Sequence, residues 1–210
     1  MRNIWFPLLT VLVLVGVAPA LGQPKLPPAD KANLLAVGSE DRVLGNAEAP
    51  VTIVEYASLT CPHCRHFETD VLPQLKAKWI DTGKVKLVLR DFPLDEPALR
   101  AAMVARCAPP DRYYGFVDTF FKSQEEWAVA RDPKAALQRL AQLGGMSKKD
   151  FDACLANKDA ENKIVESRLI ASQQLNVEST PTFFLNGAKF DGAPTFEAFD
   201  QQLSSLAPKS

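Results

Sequence analysis

A β-branched apolar run, Val51-Thr52-Ile53-Val54-Glu55-Tyr56-Ala57, closely precedes Cys61-Pro62-His63-Cys64, and that tetrad opens a stretch with helical periodicity. The run has the character of a strand buried on both faces. Beyond the tetrad, Phe67, Val71, Leu75 and Trp79 recur every fourth position, which predicts one apolar helix face from about Pro62 to Ile80. Pro62 suits the first turn, where a missing N–H is harmless. Pro73 lies inside the span and is expected to kink it. Thr82-Gly83 ends the helix, and Val85 to Leu89, flanked by Lys84 and Arg90 and interrupted by Lys86, reads as a second strand. Strand, helix and strand at this spacing make a parallel β-α-β unit.

Two prolines between Asp91 and Pro97 break the pattern, and helical signals dominate the next segment. Ala98 to Ala108, Tyr114 to Lys122, Pro133 to Leu143 and Ser147 to Ala156 read as short helices parted by Pro109-Pro110, Asp132-Pro133 and Gly144-Gly145. Ser147 followed by Asp150 resembles a capping box. Helices without strands inside an α/β chain predict an inserted helical subdomain over 95–158. A longer helix, about Asp159 to Leu175, leads back to a strand, Thr182 to Leu185. Asn186-Gly187 then marks a tight hairpin turn into Ala188 to Phe190. Phe196, Phe199, Leu203 and Leu206 close the chain with an amphipathic helix.

At the other end, Arg2 precedes an apolar run from Ile4 to Val17 that finishes in Ala18-Pro19-Ala20, the pattern of a cleavable secretory signal over residues 1–20. An uncleaved anchor is the alternative, but the run falls short of the roughly 20 residues that span a bilayer. The cut falls after Ala20, or after Gly22 if Ala20-Leu21-Gly22 is the site. Residues 21–42, with Pro24, Pro27, Pro28 and Gly38, read as an extended, loosely attached arm. Charges nearly cancel, at a formal net of -1, or about -2 once Arg2 is removed with the signal, so no nucleic-acid surface is expected. Export places the four cysteines where disulfides form and persist.

The tetrad admits three chemistries. A zinc knuckle needs a second close pair of ligands, whereas Cys107 and Cys154 are single and far apart and the chain's histidines are His63 and His66. A purely structural disulfide in so small a ring removes little chain entropy. A redox pair requires Cys61 exposed and ionised enough to attack or leave, with Cys64 close behind it, and the N–H groups of a helix start favour the thiolate of the first cysteine. His63, between the cysteines, adds in the same direction if its ring donates or is protonated; otherwise it is an exposed polar residue. His66 reads as a surface residue.

The exported Cys-Pro-His-Cys tetrad, the strand before it, the helical insertion and the later Ser179-Thr180-Pro181-Thr182 together resemble the DsbA family of thiol-disulfide oxidoreductases, over about Val43 to Leu206. The resemblance implies an α/β, thioredoxin-like fold with an inserted helical subdomain: the thioredoxin-like part is 43–94 and 159–206, the insertion 95–158. It implies that Cys61 is the nucleophile, Cys64 the buried resolving thiol, and His63 the main tuner of potential, with Pro62 beside it in the catalytic tetrad. The family's namesake is a known case of a strongly depressed cysteine pKa, so that property is inherited with the resemblance. Thr180-Pro181 would be the family's cis-proline loop, packed on the disulfide and pairing with substrate backbone; an ordinary trans-proline opening a strand is the alternative. Glu55 matches the position of an acidic residue thought to help proton transfer at the buried cysteine, against the alternative of a strand-end acid reaching solvent. Compartment and count pair Cys107 with Cys154, two separate buried thiols being the other reading.

These expectations make the chain a periplasmic oxidase, in a Gram-negative bacterium, that donates the Cys61–Cys64 disulfide to reduced exported polypeptides through a mixed disulfide. No prosthetic group or metal is required. The resemblance implies a monomer reoxidised by a membrane partner of the DsbB type. The alternatives are an isomerase or reductase of the same fold and, in a different class, a chaperone-like binding protein whose disulfide is structural.

Overall fold

The computed structural model describes residues 29–207; the expected signal over 1–20 and the first part of the arm, 21–28, lie outside them. A five-stranded sheet in the order β1-β3-β2-β4-β5 is built from Val43–Leu44, Val51–Ala57, Val85–Asp91, Thr182–Leu185 and Ala188–Lys189 in chain order. β2 and β3 pair in parallel from Val51 opposite Val85 to Ala57 opposite Asp91; every other pairing is antiparallel. Asn186 and Gly187, both at positive φ (46° and 85°), make the turn between β4 and β5, a conformation that asparagine and glycine enter with least strain.

Between β2 and β3 the backbone is helical throughout 62–80: α2 (Pro62–His66), a π-helical turn (Phe67–Val71), α3 (Leu72–Leu75) and a second π turn (Lys76–Ile80). The sequence predicts a kink at Pro73. There the helix widens: the Leu72 N–H donates to Phe67 O, five residues back, and Pro73, lacking an N–H, enters the next turn without ending it. Phe67, Val71, Leu75 and Trp79 are all buried, as their spacing predicts.

The segment after β3 holds α4 (Glu96–Cys107), α5 (Tyr113–Lys122), α6 (Gln124–Trp127), α7 (Pro133–Leu143) and α8 (Lys148–Ala156), followed by α9 (Lys158–Leu175) and, after the hairpin, α10 (Phe196–Leu206). Ser147 caps α8 by accepting from the Asp150 N–H at 3.1 Å. Odd-numbered residues of β2 and β3, such as Ile53 and Leu87, share one core with Phe67, Phe120, Phe121, Trp127 and Phe199, so the helices after β3 bury their apolar faces against the sheet's own core. The opposite face, Val54, Tyr56 and Phe184, packs against Ala171 and Leu175 of α9 and against Leu35.

Leu35 belongs to α1 (Lys31–Leu35), capped by Asp30 and packed on the sheet, so the reading of 21–42 as an extended, loose arm fails over its described part. The reason lies far along the chain. Arg90 donates to the carbonyls of Leu34 and Ala36, at 2.5 and 2.8 Å, and to both carboxylate oxygens of Asp41, at 3.0 and 2.8 Å. A one-turn helix is too short to show periodicity, and much of its anchoring comes from one distant β3 side chain.

Candidate active site

The chain leaves β2 through a turn in which the Cys61 N–H donates to Ser58 O at 3.0 Å, and Cys61 then sits at the N-cap of α2 with extended backbone (φ -79°, ψ 121°). Pro62 follows in the first turn, and it and His63 present their side chains to solvent. β4 lies beside β2 in the sheet, so the loop entering β4 arrives at the same edge as the tetrad. That loop contains a cis Thr180–Pro181 peptide bond. The Cys61 thiol, 6% exposed, donates to the Thr180 carbonyl at 3.3 Å.

The two thiols are free and differ sharply in character. The Cys61 pKa falls to about 5: a hydrogen bond from Cys64 contributes most and outweighs the opposing effect of burial, and the Thr180 hydroxyl and the backbone N–H groups of Cys64 and His63 add to it. The Thr180 Oγ1 is buried and otherwise without a hydrogen-bond partner, which leaves it available to the thiolate. Cys64, 0% exposed, is pushed the other way, first by burial, then by its bond to Cys61 and by the neighbouring Glu55 carboxyl. One thiol ionises readily; its partner three residues on keeps its proton.

Glu55 is 0% exposed in mid-strand, with neither carboxylate oxygen hydrogen-bonded, so the alternative of a strand-end acid reaching solvent does not hold. Burial first, and Glu68 next, raise its pKa well above the ordinary carboxyl value. Glu68, 8% exposed in the π turn after α2, is also raised, chiefly by burial. The sequence carries a signal for it that the apolar periodicity obscures: Glu68 follows Cys64 by four positions, hence lies along the same helix face.

Gln124 is the second residue that the sequence reading missed. It is 4% exposed and donates from Nε2 to the carbonyls of Leu59 and Cys61, at 2.9 and 3.1 Å. No local signal marks a glutamine in the helical segment as a neighbour of a turn more than sixty residues earlier. His66 pairs with Asp70 at 2.6 Å on the surface. Cys107, at the end of α4, and Cys154, in α8, are disulfide-bonded with Cα atoms 6.0 Å apart.

A family model described as Thioredoxin matches residues 38–205. The chain is 32% identical over 154 residues to a Rickettsia bellii protein described as a protein-disulfide oxidoreductase; the match covers 73% of this chain and 60% of that protein, less than two thirds of its length. It is 29% identical over 206 residues to disulfide bond formation protein D of Bacillus cereus, covering 93% of each. Among solved structures, Wolbachia pipientis alpha-DsbA1 superposes with a TM-score of 0.79 at 34% identity, over 84% of this chain and 96% of that one.

Proposed function

The chain belongs to the DsbA family within the thioredoxin fold, and from that premise we propose that it is a protein-disulfide oxidoreductase that donates a Cys61–Cys64 disulfide to reduced polypeptides. The observation that carries the reading is the inequality of the two thiols. In the oxidised protein, a substrate thiolate attacks the Cys61 sulfur, the S–S bond breaks, and the electron pair leaves on Cys64. Cys64 sits where a thiolate is strongly disfavoured, so it takes up a proton as it leaves. Glu55, buried beside it and neutral because of its raised pKa, is placed to supply that proton. A second substrate thiolate then attacks the substrate sulfur of the mixed disulfide. Cys61 departs as a thiolate, which its depressed pKa makes a good leaving group. The products are a substrate disulfide and the reduced protein, with two electrons moved from substrate to enzyme.

The cis-proline loop supports a place for the substrate chain, since Thr180 already presents its carbonyl to Cys61 at the mouth of the site. Periplasmic export is supported by the N-terminal apolar run and by the Cys107–Cys154 bridge, which persists in an oxidising compartment. In that setting the substrates are reduced exported polypeptides, the reoxidant is a membrane partner of the DsbB type, and the protein works as a monomer.

The test is oxidation of a reduced, unfolded substrate by the oxidised protein. Wild type is expected to form substrate disulfides and Cys61→Ser to form none; equal rates in the two would end the catalytic reading in favour of a binding protein. The reduction potential against glutathione separates donor from reductase. A strongly oxidising value is expected, because stabilising the Cys61 thiolate stabilises the reduced form; a thioredoxin-like value would favour the reductase.

A further inference from the structure

Gln124 opens α6, directly after α5 ends, and its setting is tied by hydrogen bonds. Glu126 and Trp127 donate their N–H groups to Ser123 O at 2.9 and 3.1 Å, and buried Trp127 donates from Nε1 to Phe120 O at 2.7 Å. These bonds hold α6 to α5 and aim Gln124 at the turn between β2 and α2. A primary amide has two N–H donors, and here both are used, one on Leu59 O and one on Cys61 O. Cys61 O is also the acceptor that begins the helical ladder, taking the Arg65 N–H at 3.1 Å. Arg65 in turn is held by Glu125, the next residue of α6, at 2.9 Å. On the opposite side of the turn, Thr60 donates to Asp95 at 2.8 Å. The start of α2 is therefore gripped from α6 through both backbone and side chain, while the turn itself carries a nucleophile whose surroundings are all directional.

We propose that Gln124 is a positioning residue for Cys61: by clamping the Leu59 and Cys61 carbonyls it holds the sulfur within reach of the His63 and Cys64 N–H groups and of Thr180. Without the clamp those two carbonyls lose a buried donor, and the turn gains freedom to swing the sulfur off the helix start. The consequence for turnover rests on the oxidoreductase reading, whereas the placement of Cys61 is measured independently of it.

The experiment is a titration of the Cys61 thiolate by its ultraviolet absorbance in reduced wild type, Gln124→Met, Gln124→Glu and Gln201→Met, the last an exposed glutamine of α10. Methionine keeps the length without the donors, and glutamate sets carboxylate oxygens against the two carbonyls. Both Gln124 variants are expected to move the midpoint up by half a unit or more, about a threefold loss of thiolate at a pH below the midpoint, while Gln201→Met leaves it unchanged. An unmoved midpoint in both Gln124 variants, with only a lower melting temperature, would reduce Gln124 to packing and overturn the proposal. Should neither variant fold, hydrogen exchange of the wild-type side-chain amides decides: Gln124 protons are expected to exchange far more slowly than those of Gln201, and equal rates would overturn the proposal. Failure of wild type to oxidise a reduced substrate would sink the oxidoreductase reading and leave the midpoint result standing.

Discussion

The Cys61 thiol donates to the main-chain oxygen of Thr180 across 119 residues of sequence, at 3.3 Å. The contact exists because β2 and β4 are neighbours in the sheet, so the turn after one and the loop before the other meet at a single edge. It joins the nucleophile to the backbone segment against which a substrate chain is proposed to lie.

The reduced protein should be more stable than the oxidised one by an amount that depends on pH. Folding lowers the Cys61 pKa to about 5, so its contribution is lost as pH falls through about 5 and is fully present above the unfolded thiol's pKa. Cys64, raised by folding, opposes this only at alkaline pH, where its unfolded thiol would ionise. Thermal unfolding of both forms from pH 4 to 8 is expected to show a gap that widens with pH; a constant gap would contradict the depressed Cys61 pKa.

Glu55→Gln should slow disulfide exchange near neutral pH by roughly 10- to 100-fold, the scale of a lost general acid or base, while the Cys61 midpoint stays low. Glu68→Gln should act differently. Glu68 helps to raise the Glu55 pKa, so its removal lets Glu55 ionise at lower pH and moves the alkaline limb of the exchange profile downward. Stopped-flow rates across pH distinguish a shifted limb from a uniform loss.

Replacing Cys107 and Cys154 by alanine opens a bridge across 47 residues of sequence, which in the chain-entropy model stabilises the fold by up to about 4 kcal/mol. Denaturant unfolding of the double variant should show a loss of about 2 to 4 kcal/mol. The unmodified protein, oxidised and then denatured, should present no titratable thiols.

Arg90→Met should release the α1 segment. The substitution leaves the partly buried Asp41 carboxylate and the Leu34 and Ala36 carbonyls without their donor, a loss of up to about 3 kcal/mol, the low end for a broken buried ion pair. Limited proteolysis should then cut within 30–42 while the rest of the chain resists. Unchanged resistance there would show that Leu35 burial alone holds the helix.

Much of the fold was legible because local chemistry wrote it. The β-branched run at Val51, the four-residue repeat from Phe67 to Trp79, Pro133 at a helix start and Asn186-Gly187 at a turn each act within a few residues of themselves, so spacing alone reveals them. Where elements were missed, they were one turn long or less, as with α1 and α6, or two residues long, as with β1, and their stability comes from partners elsewhere. The widening at Phe67–Val71 was missed for a related reason: an apolar face repeats about as well on a mixed helix as on a regular one.

The tetrad, its place after a buried strand and its position at a helix start followed from the sequence by itself, because they depend on residue type and on neighbours one helical turn away. What only the tertiary structure decided is the environment of each thiol. The amide of Gln124, the carboxyl of Glu68 and the carbonyl of Thr180 meet the Cys61–Cys64 turn or its buried acid through the packing of helices and strands. Hydrogen bonds and desolvation act over a few ångströms of space, whatever the distance along the chain, so the character of each sulfur is set by the completed core.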